Sequence, residues 1–154
     1  MKSDSIKKFI GLKNIAVIGV SRTGKGFGVA VYNHLKDRGY TVFGVNRKGG
    51  FSNNTKLYTS LFGIEHHIDG IITVVPPAET EIVVQGANDL GIQNIWMQLG
   101  SDSENAIEFC EKNKINVVHK ECILMYVEPV KSIHSFHRWI NKLTGKYPRM
   151  ETPL

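Results

Sequence analysis

Ile15-Ala16-Val17-Ile18-Gly19-Val20-Ser21-Arg22-Thr23-Gly24-Lys25-Gly26-Phe27-Gly28 reads as an apolar strand that empties into a glycine-rich, basic turn, with a helix beyond. A turn of this kind points backbone N–H groups and a helix N-terminus at an anion, commonly the phosphates of a nucleotide. Working outward, apolar runs at 14–20, 41–45, 70–75, 94–97 and 116–118 are expected strands. Helix patterns separate them. Residues 27–38 carry Phe27, Val31 and Leu35 at i, i+4 and i+8, with Gly39 as a stop. Residues 79–90 carry Ile82, Val83, Ala87 and Leu90 ahead of Gly91, and Ser101-Asp102-Ser103-Glu104 matches a capping box before Ala106, Ile107 and Cys110. The connection from 46 to 69 is expected to hold a short extended piece near Lys56-Leu57 and one helical turn near 60–64. Strand and helix alternate and the strands are almost continuously apolar. That pattern predicts an α/β fold: an open parallel sheet of about five strands, covered by helices on both faces. A last amphipathic helix over 130–144 places Ile133, Phe136, Trp139, Ile140 and Leu143 on one stripe, which suits packing on the sheet, on a sister subunit or on a protein partner.

Composition sets the outer bounds. The 154 residues, 42% hydrophobic and 21% charged, suit one soluble domain with a core of ordinary size. The longest aliphatic run, 71–75, is too short to cross a bilayer, and the N-terminus lacks an apolar signal core, so a cytoplasmic location is expected. Cys110 and Cys122 have no paired spacing and are expected to be reduced thiols. The net charge is +5, and 129–150 holds Lys131, Arg138, Lys142, Lys146 and Arg149 with no carboxylate. A polyphosphate ligand or plain solvation accounts for such a tail as well as nucleic acid does. The rest of the chain lacks a recognisable nucleic-acid module.

In an open parallel sheet, ligands sit beyond the carboxyl ends of the strands. Those ends carry Gly19-Val20-Ser21-Arg22, Asn46-Arg47-Lys48-Gly49-Gly50, Pro76-Pro77 and Gln98-Leu99-Gly100. Three anionic ligands are to be weighed. A nucleoside triphosphate fits poorly: Gly19 to Lys25 nearly matches the GxxxxGK[ST] loop, but Gly26 replaces the hydroxyl residue that would hold magnesium, and no strand ends in a metal-binding Asp. NAD calls for an acidic residue after the second strand, where this chain has Asn46-Arg47-Lys48. NADP, and with it a reductase-like protein, stays open because a basic loop suits its 2′-phosphate. Coenzyme A needs anion-binding backbone, cations for its 3′-phosphate and a groove for its pantetheine arm. Arg22, Lys25, Arg47 and Lys48 supply the charge, and Pro76-Pro77 with Trp96-Met97 supply walls.

At this point residues 14–122 resemble the small stand-alone bacterial type of Rossmann-like CoA-binding domain. The resemblance is carried by Ala16-Val17-Ile18-Gly19-Val20-Ser21-Arg22, Gly39-Tyr40-x-Val42 leading to Val45-Asn46, the turn Val75-Pro76-Pro77, Ile95-Trp96-Met97-Gln98-Leu99-Gly100, and Cys122. The tail resembles one subgroup of that family through Cys122-Ile123-Leu124-Met125, Glu128-Pro129, His134-x-Phe136-His137-Arg138-Trp139 and Gly145-Lys146-Tyr147-Pro148. Val45-Asn46-Arg47-Lys48-Gly49-Gly50 is also similar to a segment of the CoA-binding half of succinyl-CoA synthetase. The resemblance implies a single domain, with a core of about 13–122 and a helical extension of about 129–148, that holds CoA or an acyl-CoA at the strand ends. It implies Gly19, Ser21 and Arg22 at the phosphates with Lys25 at the edge. Val45, Asn46 and Lys48 would run along the adenosine and its 3′-phosphate. Val75, Pro76, Pro77 and Thr80 would border the pyrophosphate or adenine, and Trp96, Met97 and Gln98 the pantetheine. The stand-alone type usually has Pro after the Val-Asn pair; this chain has Arg47 there, so the resemblance does not fix the path of the second loop.

No catalytic constellation is legible. Cys122, after the last strand, is either a reactive thiol beside bound CoA or a small packing residue. His119 and Lys120 nearby either lower its pKa or are simply solvated. His134 and His137 share one side of the last helix and suit a phosphate or a partner better than a metal, for which the spacing is loose. Glu79 and Glu81 favour a helix N-terminus. In the synthetases a separate domain supplies the phosphohistidine chemistry, so the expected role here is a binding or regulatory module. The other remaining reading is an interaction protein that uses the basic C-terminal helix.

Overall fold

The computed structural model describes residues 2–127. The expected C-terminal helix, with His134 and His137, lies outside the described residues.

The elements run α1 (Lys2–Ile10), β1 (Asn14–Ile18), α2 (Phe27–Asp37), β2 (Thr41–Val45), β3 (Phe51–Ser52), β4 (Thr55–Tyr58), β5 (Gly70–Thr73), α3 (Pro77–Asp89), β6 (Asn94–Gln98), α4 (Glu104–Lys112) and β7 (Asn116–Glu121). The strands form one sheet in the order β3-β4-β2-β1-β5-β6-β7. All pairings are parallel except the β3–β4 hairpin. This is a Rossmann-like α/β sheet. Leaving β1, the chain first builds outward through β2, then returns to the other side of β1 for β5, β6 and β7. The order reverses between β1 and β5, which is where such sheets leave a crevice.

The central strands are buried on both faces, so their side chains alternate between two cores. Ile15 and Val17 of β1 join Phe9 of α1 and Val31 and Leu35 of α2 on one face. Ala16 and Ile18 join Val84 and Ala87 of α3 and Ala106 and Cys110 of α4 on the other. The i, i+4, i+8 stripe of α2 thus does what its spacing predicts.

Two expectations are corrected and one element is added. The sheet has seven strands, not about five: the extended piece expected near Lys56-Leu57 is β4, and it pairs with both β2 and a two-residue β3. The turn between them places Asn53 and Asn54 at φ 47° and 67°, the left-handed conformation that a two-residue hairpin turn requires. An N-terminal helix, α1, packs Ile6 and Phe9 into the core. The helix cap at α4 is Ser103, whose Oγ accepts from the Ala106 N–H at 3.3 Å; Ser101, the expected cap, is buried elsewhere.

Candidate functional site

The crevice opens where β1, β2 and β5 end. Gly19 leaves β1 at φ +108°, and a Cβ there would lie 2.2 Å from the Val74 carbonyl oxygen, so only glycine lets β1 and β5 come this close. The N–H groups of Gly19 and Val20 both donate to the Val45 carbonyl, at 3.0 and 3.1 Å. The ends of β1 and β2 are tied together at that oxygen. The turn that follows folds on its own hydroxyls. The Thr23 N–H donates to Ser21 Oγ at 3.1 Å, and the Lys25 N–H to Thr23 Oγ1 at 3.2 Å. The N–H groups of Ser21, Arg22 and Gly24 find no acceptor among the described residues. They are donors left free to meet an anion. The β3–β4 hairpin braces the turn from outside, with Asn53 Nδ2 donating to the Gly24 carbonyl at 3.5 Å.

The second loop is latched by Asn46. Its Nδ2 donates to the Val20 carbonyl at 2.9 Å and its Oδ1 accepts from the Lys48 N–H at 2.9 Å. Its own N–H donates to the Tyr58 carbonyl at 2.9 Å. Asn46 therefore shapes the loop with every polar group of its side chain engaged, and the exposed Arg47 and Lys48 beside it carry the charge.

The resulting crevice has a volume of about 550 Å³. Of the residues expected at the ligand, Gly19, Ser21, Arg22, Val45, Asn46, Lys48, Val75 and Pro76 line it. Among the described residues three cations, Arg22, Arg47 and Lys48, and a single carboxylate, Glu79, line it. Ile18, Thr23, Val74 and Glu79 are wall residues that the sequence reading did not assign to the ligand; Arg47, named there only as a source of charge, is a wall residue too. Glu79 reads in sequence as a helix-start residue; its reach to Arg47 Nη2, at 2.9 Å, is a tertiary contact.

The remaining expected residues do not line this crevice. Lys25 is exposed on the outer edge of the turn, and Pro77 begins α3. Thr80 is fully buried, and its hydroxyl pairs with Ser101 Oγ at 2.8 Å. Ser101 also donates to Thr73 Oγ1 at 2.8 Å. This buried hydroxyl cluster holds the start of α3 to the ends of β5 and β6, beneath the crevice. Trp96 and Met97 are fully buried on opposite faces of β6. Trp96 packs edge-on against Phe9, with ring centroids 5.4 Å apart, and donates Nε1–H to the Glu121 carbonyl at 3.1 Å. A pantetheine wall needs exposed surface, and these two side chains have none.

Gln98 and Cys122 close the far end of the sheet. Gln98 Nε2 donates to Cys122 Sγ at 2.8 Å, and its Oε1 accepts from the Ile123 N–H at 3.0 Å. Burial pushes the Cys122 thiol above its ordinary range, and hydrogen bonds from Leu124, Gln98 and Met125 only partly offset it. Of the two readings of His119 and Lys120, a lowering of this thiol's pKa is not the one its surroundings support: neither is among the groups that shift it. The geometry is that of a packing cysteine. Among the described residues no group of three or more His, Cys, Asp or Glu side chains is arranged to hold a metal, and no helix is long and apolar enough to cross a membrane.

A family model described as a CoA binding domain matches residues 13–128. The chain belongs to this family. The domain is 26% identical over 119 residues to an ADP-forming acetate–CoA ligase of Methanocaldococcus jannaschii, an alignment that covers 72% of this chain and 17% of the ligase. It thus spans about a sixth of the length of that relative. Its fold is similar to that of a conserved hypothetical protein of Pyrococcus furiosus, at 28% identity and a TM-score of 0.70, over 75% of this chain and 99% of the other. A hypothetical protein of Pyrococcus horikoshii shares the fold at 22% identity and a TM-score of 0.75, over 91% of this chain and 93% of the other. The family supports CoA as the ligand of the domain.

Proposed function

We propose that this domain binds CoA, or an acyl-CoA, with the nucleotide end in the crevice at the ends of β1, β2 and β5. In this reading Ser21, Arg22 and their free N–H groups meet the pyrophosphate. Lys48 and Arg47 meet the 3′-phosphate, and Val45, Val75 and Pro76 flank the adenosine. The observation that carries the reading is the convergence of three cations and unpaired backbone donors on one crevice in a member of a CoA-binding family. The proposed role is a binding or regulatory module without chemistry of its own. Among the described residues no histidine or cysteine lines the crevice, and the carboxylate that does, Glu79, is paired with Arg47.

Thermal unfolding with CoA, acetyl-CoA, dephospho-CoA, NADPH and ATP, each at one concentration, tests this. A ligand at about 100 times its Kd adds about 2.7 kcal/mol of stability, a clear shift in Tm. CoA and acetyl-CoA are expected to stabilise strongly and dephospho-CoA weakly. A larger shift with NADPH would replace the reading with a reductase-like one. No shift with any CoA compound would end it.

A further inference from the structure

Arg47 and Glu79 stand on facing walls of the crevice and meet across it. Arg47 comes two residues after β2 and Glu79 lies in the first turn of α3; Arg47 Nη2 donates to Glu79 Oε1 at 2.9 Å. Both also line a second cavity of about 200 Å³, walled by Leu61, Phe62, Ile82 and Val83. Ile18 and Val45 are shared by the two cavities as well. The ion pair therefore sits at the junction of a cationic compartment and an apolar one. It is loosely held, because the Arg47 side chain is 80% exposed and water competes for exposed ion pairs.

We propose that this pair is an exchangeable crossbar. A phosphomonoester on an entering nucleotide takes Arg47 from Glu79, and the guanidinium, in moving, joins the two compartments so that the base enters the apolar one. Exchange is favourable because a phosphate offers a guanidinium more charge and a matched pair of acceptor oxygens. The released carboxylate is not stranded: it stays partly exposed at the N-terminus of α3, where the helix dipole favours it. The proposal rests on the CoA reading of the crevice and adds a sign to it: Arg47 supports binding, and Glu79, by competing for Arg47 and repelling the anion, opposes it.

Titration calorimetry of the full chain with CoA and dephospho-CoA, on wild type, Glu79→Gln and Arg47→Ala, tests the crossbar. Glu79→Gln is expected to bind CoA about two- to fivefold more tightly. Arg47→Ala is expected to bind CoA about tenfold more weakly and to weaken dephospho-CoA by much less, the smaller loss coming from the uncompensated Glu79. The melting temperatures of the unliganded variants, expected near that of wild type, show that both fold. Unchanged or weaker CoA binding by Glu79→Gln would overturn the crossbar, with weaker binding meaning that Glu79 accepts from a ligand hydroxyl. Equal losses of CoA and dephospho-CoA affinity in Arg47→Ala would overturn it too. Wild type that binds CoA alongside either failure leaves the CoA reading standing; wild type that binds neither compound removes both.

Discussion

The two halves of the sheet end differently. At β1, β2 and β5 the strand ends part to leave an open crevice with cations on its rim and backbone donors unspent. At β6 and β7 the strand ends are sealed: Gln98 bonds to Cys122 and Ile123, and the residues from Cys122 to Met125 are buried. The difference follows from topology. Neighbouring strands that follow one another in sequence, such as β5 and β6, cover their ends with the same run of connections. At the reversal between β1 and β5 the connections leave in opposite directions, and the gap stays open. In the proposed reading the nucleotide end of CoA takes the open crevice, and the buried Gln98–Met125 end offers a ligand no comparable opening.

The largest expected effect separates the halves by stability. Trp96→Ala removes a fully buried indole that packs on Phe9 and Tyr126, and should cost about 3–5 kcal/mol. Chemical denaturation checks this. CoA affinity of the folded fraction should be unchanged; a loss of affinity would put Trp96 at the ligand after all. A smaller effect comes from the open side. Asn46→Ala cuts the bonds to Val20 and Lys48, with an expected stability cost of about 1–2 kcal/mol. Because that loop carries Arg47 and Lys48, CoA binding should weaken in the same variant. An unchanged Kd in calorimetry would mean that the latch does not position the cations. The smallest effect concerns the thiols. Burial raises the pKa of Cys122, and that of Cys110 from 9.0 to about 12. Both are therefore neutral at pH 7, and a thiol reagent should label native protein only at the rate of structural opening. Since the folded pKa lies above the unfolded one, stability should fall as pH climbs from about 9 towards 12. Rapid labelling of Cys122 in the native protein would restore the reactive reading.

This contrast was half legible in the sequence. The apolar run into Gly19 and the basic loop after Val45 locate the crevice because strand ends and loops are local features. Which face a side chain occupies is not local. A parallel strand buried on both faces is apolar throughout, so nothing in Ile95-Trp96-Met97 tells that Trp96 meets α1. The helix α1 was missed because only Ile6 and Phe9 are buried among its polar residues, and its partner, Trp96, is distant in sequence. Ser101 matched a capping box, yet its hydroxyl satisfies Thr80 and Thr73, groups that only tertiary structure brings near. Glu79 was read as a helix-start residue for the same reason.

The most direct test of the contrast is a titration of isotope-labelled protein with CoA, followed through backbone amide chemical shifts. The account predicts large shifts confined to 19–24, 45–48 and 74–79, with Gln98 and Cys122 to Met125 unmoved. Shifts centred on Gln98 and Cys122 with a silent Ser21–Arg22 turn would place the ligand at the sealed end and contradict it.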